Sequence, residues 1–181
     1  NGQTFNDYLN GNLSYLKGQK PFLEDFENHL GTIFTEVRMK KIIEFRSLDT
    51  CNFGCICNVP SFFTGLIYGS LDETYEIIKN WKREHVMEAY LNAPKQGLKT
   101  LLNGKKLIDW GKIFLDLSKK GLEKRNELNK SGKNEIIYLK HIEEIIKNKK
   151  TRSEMLIEQF NKSKNLNFLV NHDENFSYSG F

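Results

Sequence analysis

Only one segment of this sequence alternates clearly as a β-strand does, and a single strand cannot make a sheet. Over residues 41–48, Ile43 and Phe45 point one way while Ile42, Glu44 and Arg46 point the other. The rest of the chain is punctuated for helices. Thr4 can cap a short first helix that Gly11 ends, and Pro21 suits the first position of a helix over residues 21–30, with Glu24 and Asp25 in its first turn. Pro60 opens a helix through Tyr68 that Gly69 closes. Ser70-Leu71-Asp72-Glu73 and Thr151-Arg152-Ser153-Glu154 have the form of capping boxes. The first starts a helix with Leu71, Tyr75, Ile78 and Trp81 at helical spacing; the second starts one carrying Met155, Leu156 and Phe160. Helices are also expected over residues 83–91, 106–128 and 135–147, the long one with Leu107, Trp110, Phe114, Leu117 and Leu122 on one broad face. The expected fold class is α+β, mostly helical, with one or two strands here; either the strand's sheet partners lie elsewhere in a longer chain or the strand assignment is wrong. Asn1 rather than Met at the first position points to the longer chain.

At 181 residues the chain is long enough for one domain with a core. The first residues lack the basic and apolar regions of a secretory signal, and apolar stretches such as residues 61–68 are too short to span a bilayer. A soluble, cytoplasmic protein without a membrane partner is expected. The net charge of +4 is carried mostly by lysines interspersed with Asp and Glu, not by a basic groove with aromatic platforms, so no nucleic-acid partner is expected.

The strand carries the chemistry. Glu44 and Arg46, two residues apart, share a face with a spacing of about 7 Å. A carboxylate is a hard oxygen ligand for Mg²⁺, and a guanidinium's planar fork matches phosphate or carboxylate oxygens. Fixed positive charge at a transferring phosphoryl group is most of what such catalysis asks. From these two residues alone, a cross-strand salt bridge on an exposed sheet face is the simpler account.

The surroundings add to this. The block from His29-Leu30 through Glu36-Val37-Arg38 to Glu44-Phe45-Arg46-Ser47-Leu48-Asp49 resembles the plant and proteobacterial type of glutamate–cysteine ligase. The likeness continues through Cys57-Asn58-Val59-Pro60-Ser61-Phe62-Phe63 and Gly65-Leu66-Ile67-Tyr68, then Gly97-Leu98-Lys99-Thr100, Gly121-Leu122-Glu123-Lys124-Arg125 and Thr151-Arg152-Ser153-Glu154-Met155-Leu156. The resemblance implies a glutamine-synthetase-like catalytic fold, with residues 1–181 as the C-terminal part of a single ligase domain whose upstream part is missing. It implies ATP and Mg²⁺ as cofactors, glutamate and cysteine as substrates, and γ-glutamylcysteine formed through a γ-glutamyl phosphate, the first step of glutathione synthesis. On this likeness Glu44 is a magnesium ligand. Arg46 is the catalytic residue, holding the nucleotide's transferring phosphoryl group or a substrate carboxylate. Arg38 contacts nucleotide or substrate, or is simply a charge on a helix surface. Alone, such a fragment is expected to be inactive. Another carboxylate–amine ligase, or a non-catalytic helical module, is the alternative.

Other residues read as structural. Asp49 orients Arg46 or caps a turn, His29 faces a helix C-terminus, and Gly65, Tyr68, Trp81 and Trp110 are packing residues. His85, His141 and His172 are scattered and form no triad with any Ser or Cys. Cys51, Cys55 and Cys57 match no usual zinc spacing, and reduced thiols are the default. In some relatives the position of Cys57 pairs with an upstream cysteine. Thr35 stands where the family usually has Pro, and Asn52-Phe53-Gly54-Cys55-Ile56 replaces an aromatic and double-Arg run.

Overall fold

The computed structural model describes residues 2–39, 41–48 and 55–167, which fall into two compact units, residues 1–50 and residues 51–181.

In the first unit, helix α1 (Phe5–Leu9) is capped by Thr4, whose hydroxyl accepts from the Asp7 amide while its own N–H donates to the Asp7 carboxylate at 2.7 Å. Helix α2 (Leu23–Gly31) starts two residues after Pro21, because Asp25 reaches back to accept from the Phe22 N–H at 2.8 Å. The Phe5 ring stacks on His29 at 4.4 Å and tilts against Phe26 at 5.6 Å, joining the two helices. Strands β1 (Val37–Met39) and β2 (Ile43–Phe45) then form an antiparallel hairpin. This corrects the expectation that the strand's partner is remote: Arg38 lies opposite Glu44, and the Arg46 N–H donates to the Glu36 carbonyl at 2.9 Å, carrying the ladder one pair further. Arg38 is therefore on a strand, not on a helix surface.

The second unit is built around helix α6 (Leu107–Arg125). Helix α3 (Asn58–Thr64) runs into a π turn (Gly65–Gly69), followed by α4 (Leu71–Ile78) and α5 (Arg83–Gln96). A short antiparallel ladder of β3 (Leu101–Leu102) and β4 (Lys105–Lys106) leads into α6. A 3₁₀ turn (Glu135–Leu139), α7 (Lys140–Asn148) and α8 (Arg152–Ser163) complete it. Two apolar clusters flank α6. One gathers Ala89, Leu102 and Trp110 with Ile77, Trp81 and Phe114; the other gathers Leu115, Leu122 and Leu139 with Phe62, Ile136 and Ile142. Leu122 and Leu139 are fully buried, and Trp110 satisfies its indole N–H on the Leu102 carbonyl at 2.7 Å. Asn58, nearly buried, ties α3 to α7 by accepting from the His141 and Ile142 amides at 3.2 and 3.4 Å, at the orphan N–H end of that helix. Among the described residues no helix is long and apolar enough to cross a membrane.

Several boundaries differ from expectation for local reasons. Helix α5 continues past Leu91 to Gln96 with Pro94 in its last turn, where few further hydrogen bonds are lost. Helix α6 stops at Arg125 because Asn126 takes the left-handed conformation at φ 53°. Leu71 and Tyr75, placed by spacing on the buried face of α4, are 54% and 59% exposed, while Ile77 and Trp81 pack inward. Ser70 precedes α4 but makes no capping hydrogen bond; its hydroxyl donates to the Leu117 carbonyl of α6 at 3.0 Å instead.

The second box does form. Thr151 Oγ1 accepts from the Glu154 amide at 3.2 Å, and the Glu154 carboxylate accepts the Thr151 N–H at 2.7 Å. The Thr151 N–H first, and then the Thr151 hydroxyl donating to the same carboxylate oxygen at 2.9 Å, hold the Glu154 carboxyl below its ordinary value of 4.5. Thr151→Ala should cost about 1 kcal/mol in a denaturant melt. Because the folded pKa is the lower one, the Glu154 contribution is present above the ordinary value and is lost as pH falls through the folded value. The melting-temperature gap between wild type and Glu154→Gln should therefore be widest near neutral pH and close on acidification below 4.5.

Candidate active site

The hairpin has one charged and one apolar face. With a side-chain period of two, Glu36, Arg38, Glu44 and Arg46 share one face, and Val37, Met39, Ile43 and Phe45 the other. Across the ladder the Arg38 guanidinium makes a two-point contact with a single Glu44 oxygen, Nε donating at 2.9 Å and Nη2 lying at 2.7 Å from Oε2. Its third nitrogen, Nη1, donates to the Gly31 carbonyl at 3.1 Å. Gly31 is the last residue of α2, where carbonyls lack helical partners and the dipole favours a cation. The cross-strand ion pair considered from the sequence thus exists, but Glu44 forms it with Arg38.

Arg46 is held differently. Its backbone joins the ladder, and its guanidinium carbon lies 4.9 Å from the centre of the Phe34 ring. One of its terminal nitrogens, Nη1, is buried and finds no hydrogen-bond partner among the described residues. A buried N–H of a cation without an acceptor is costly, and an anionic oxygen relieves it. Asp49, considered as an orienting group for Arg46, lies outside the described residues.

These residues fit the chemistry of a nucleotide and a hard cation. Arg46 offers an unsatisfied, permanently charged donor, and Glu44 offers a carboxylate on a paired strand. Mg²⁺ is commonly bound by one or two carboxylates with substrate phosphates and water completing its shell. Among the described residues no three His, Cys, Asp or Glu side chains converge as a metal site, so a cation held by Glu44 would need other ligands.

A weaker signal for β1 was present in the sequence, since Glu36-Val37-Arg38-Met39 also alternates, over four residues only. Thr35, in place of the family's usual Pro, closes the approach to β1 by donating its hydroxyl to the Val37 carbonyl at 2.6 Å. His29 lies in the last turn of α2, as expected. Trp81 and Trp110 meet edge to face at 5.1 Å within a core cluster, and Gly65 packs against α6, so these three are packing residues. The expectation of reduced thiols is corrected at Cys55, which is disulfide-bonded; Cys57 is a free, half-buried thiol, and Cys51 lies outside the described residues.

Residues 7–172 match the profile of glutamate-cysteine ligase family 2. The chain is 35% identical over 161 residues to the chloroplastic glutamate–cysteine ligase of Solanum lycopersicum, and 34% identical over 161 residues to that of Nicotiana tabacum. It is 34% identical over 162 residues to that of Arabidopsis thaliana. Each match covers 88% of this chain and 30% of the relative, so the chain spans about a third of the length of these proteins. Their chloroplastic names overturn the cytoplasmic location expected from the sequence. The amino-acid composition is one that cytosolic and plastid proteins share, and it does not separate them. The chain belongs to glutamate-cysteine ligase family 2.

Proposed function

We propose that the protein carrying this chain is a plastid ligase joining the γ-carboxyl of glutamate to the amino group of cysteine at the expense of ATP. The observation that carries this is the family match over residues 7–172; the anion-ready Arg46 beside Glu44 supports it. In this reading a glutamate γ-carboxylate oxygen attacks the terminal phosphorus of ATP and ADP leaves, giving an acyl phosphate. The cysteine nitrogen, having lost a proton, then attacks the acyl carbon, and inorganic phosphate leaves. Arg46 holds an oxygen of the transferring group, where its fixed charge offsets the charge that builds up. Glu44 would contribute one oxygen ligand to Mg²⁺, whose charge would offset that of the phosphates. The remaining walls of the site belong to parts of the protein beyond this chain, of which residues 1–181 form the C-terminal part of the catalytic domain.

The test follows phosphate release from ATP by the full-length protein. Release that needs both glutamate and cysteine, and falls away when other amino acids replace cysteine, is expected. Equal release with another amine acceptor overturns the assignment of cysteine. Glu44→Ala in the same protein should lower activity by more than about 100-fold, beyond the effect of an outer-shell change. Unchanged activity would remove Glu44 from the metal site.

A further inference from the structure

We propose that Arg38 is a positioning residue that sets the Glu44 carboxylate for the metal, and is not itself a contact to nucleotide or substrate. This rests on the reading of Glu44 as a metal ligand given above. All three nitrogens of Arg38 are engaged within the protein: Nε and Nη2 on Glu44 Oε2, and Nη1 on the Gly31 carbonyl. Its side chain is 19% exposed against 39% for Glu44, so the arginine is the inner and the carboxylate the outer member of the pair. The register places them directly opposite, the closest cross-strand relation available. A glutamate side chain has several staggered rotamers open to it, and only some of them aim its carboxylate at a given point. A rigid guanidinium fork, itself anchored on the end of α2, removes that choice. Carboxylates that ligate metals are regularly held in this way by hydrogen-bond donors behind them, and loss of such a partner typically costs about 10–100-fold in metal affinity or activity. The arrangement divides the work between the two arginines of the charged face. Arg38 spends its donors inward on Glu44 and Gly31, and Arg46 keeps one unspent.

The full-length protein tests this with Mn²⁺ alone, bound and counted by its electron paramagnetic resonance signal, since Mn²⁺ takes the same oxygen ligands as Mg²⁺. Arg38→Gln should weaken Mn²⁺ binding by about 10–100-fold and raise the Mg²⁺ needed for half-maximal activity, with KM for glutamate unchanged. Glu44→Gln should weaken Mn²⁺ binding at least as much, and the double variant should be no worse than Glu44→Gln, because the two act through one ligand. Arg38→Lys, which keeps the charge without the fork, should fall between wild type and Arg38→Gln, and it serves if Arg38→Gln does not fold. A rise in KM for glutamate or ATP with Mn²⁺ binding intact would make Arg38 a direct contact and overturn the proposal. So would a lower melting temperature with Mn²⁺ binding intact, which would make it a purely structural tie. If Glu44→Gln itself binds Mn²⁺ as wild type does, the metal reading fails and the positioning role with it.

Discussion

Arg46→Ala in the full-length protein should lower the rate of phosphate release with ATP, glutamate and cysteine by about 10²–10³-fold, the usual consequence of deleting one fixed donor to a developing charge. The same change should cost no more than about 1 kcal/mol of stability, because the side chain's described contribution to the fold is its position over the Phe34 ring. That separation of activity from stability is the diagnostic. The backbone of Arg46, which carries the ladder bond to Glu36, is untouched by the substitution. Arg46→Lys sharpens the reading. A lysine restores the charge but not the planar fork, so it should recover part of kcat if Arg46 meets a phosphoryl group as a point charge, and little if a two-point contact is required. Full activity in Arg46→Ala would mean that its buried Nη1 is relieved by some part of the longer protein, and that Arg46 has no part in the chemistry.

The helical part of the fold was legible where the signal is local. Thr4 and Thr151 cap helices through bonds three residues away, and nothing distant competes for their hydroxyls. Ser70 has the same sequence form, yet its hydroxyl goes to Leu117, 47 residues later, which no pattern around residue 70 encodes. Helix α4 fails in the same way. Spacing alone puts Leu71, Tyr75, Ile78 and Trp81 on one apolar face; of these Trp81 does meet Trp110 and Phe114, but within α4 it is Ile77 that packs on the core while Leu71 and Tyr75 are exposed. At the site, the type and side of Glu44 and Arg46 followed from period-two alternation. The partner of Glu44 did not, because alternation relates Glu44 to Arg46 along the strand, while the shorter distance runs across the hairpin to Arg38. Register depends on where the chain turns, and a two-sided alternation does not by itself fix that point.

The crossing of α3 and its π turn over α6 carries the largest stability prediction. Gly121→Ala should cost about 3 kcal/mol or more, at or above the upper end of the usual penalty for overfilling a packed site. A Cβ at residue 121 would fall on the Gly65 carbonyl, and that carbonyl is already committed: it accepts the Ser70 N–H at 3.0 Å and so closes the π turn. A Cβ at Gly69 would fall in turn on the Gly121 backbone, and one at Gly65 on the Ser118 carbonyl. The obstacles are main-chain atoms, which have no rotamer to change. The helices are also pinned together on both sides of the contact, by the Ser118 hydroxyl on the Phe62 carbonyl at 2.9 Å and the Ser70 hydroxyl on the Leu117 carbonyl at 3.0 Å. Relief by sliding would break those bonds and pull Leu122, fully buried, out of its cluster. In a thermal melt of the chain followed by circular dichroism the loss corresponds to about 10 °C. Gly31→Ala, where an added Cβ meets no atom within 4 Å, is the control and should not lower the melting temperature. Gly69→Ala should act in the same direction as Gly121→Ala. The double variant should cost less than the sum, since once either methyl has forced the backbones apart the second enters space already opened. Strict additivity would show that the two glycines do not share one contact, and a mild Gly121→Ala would show that the helices can part here without loss.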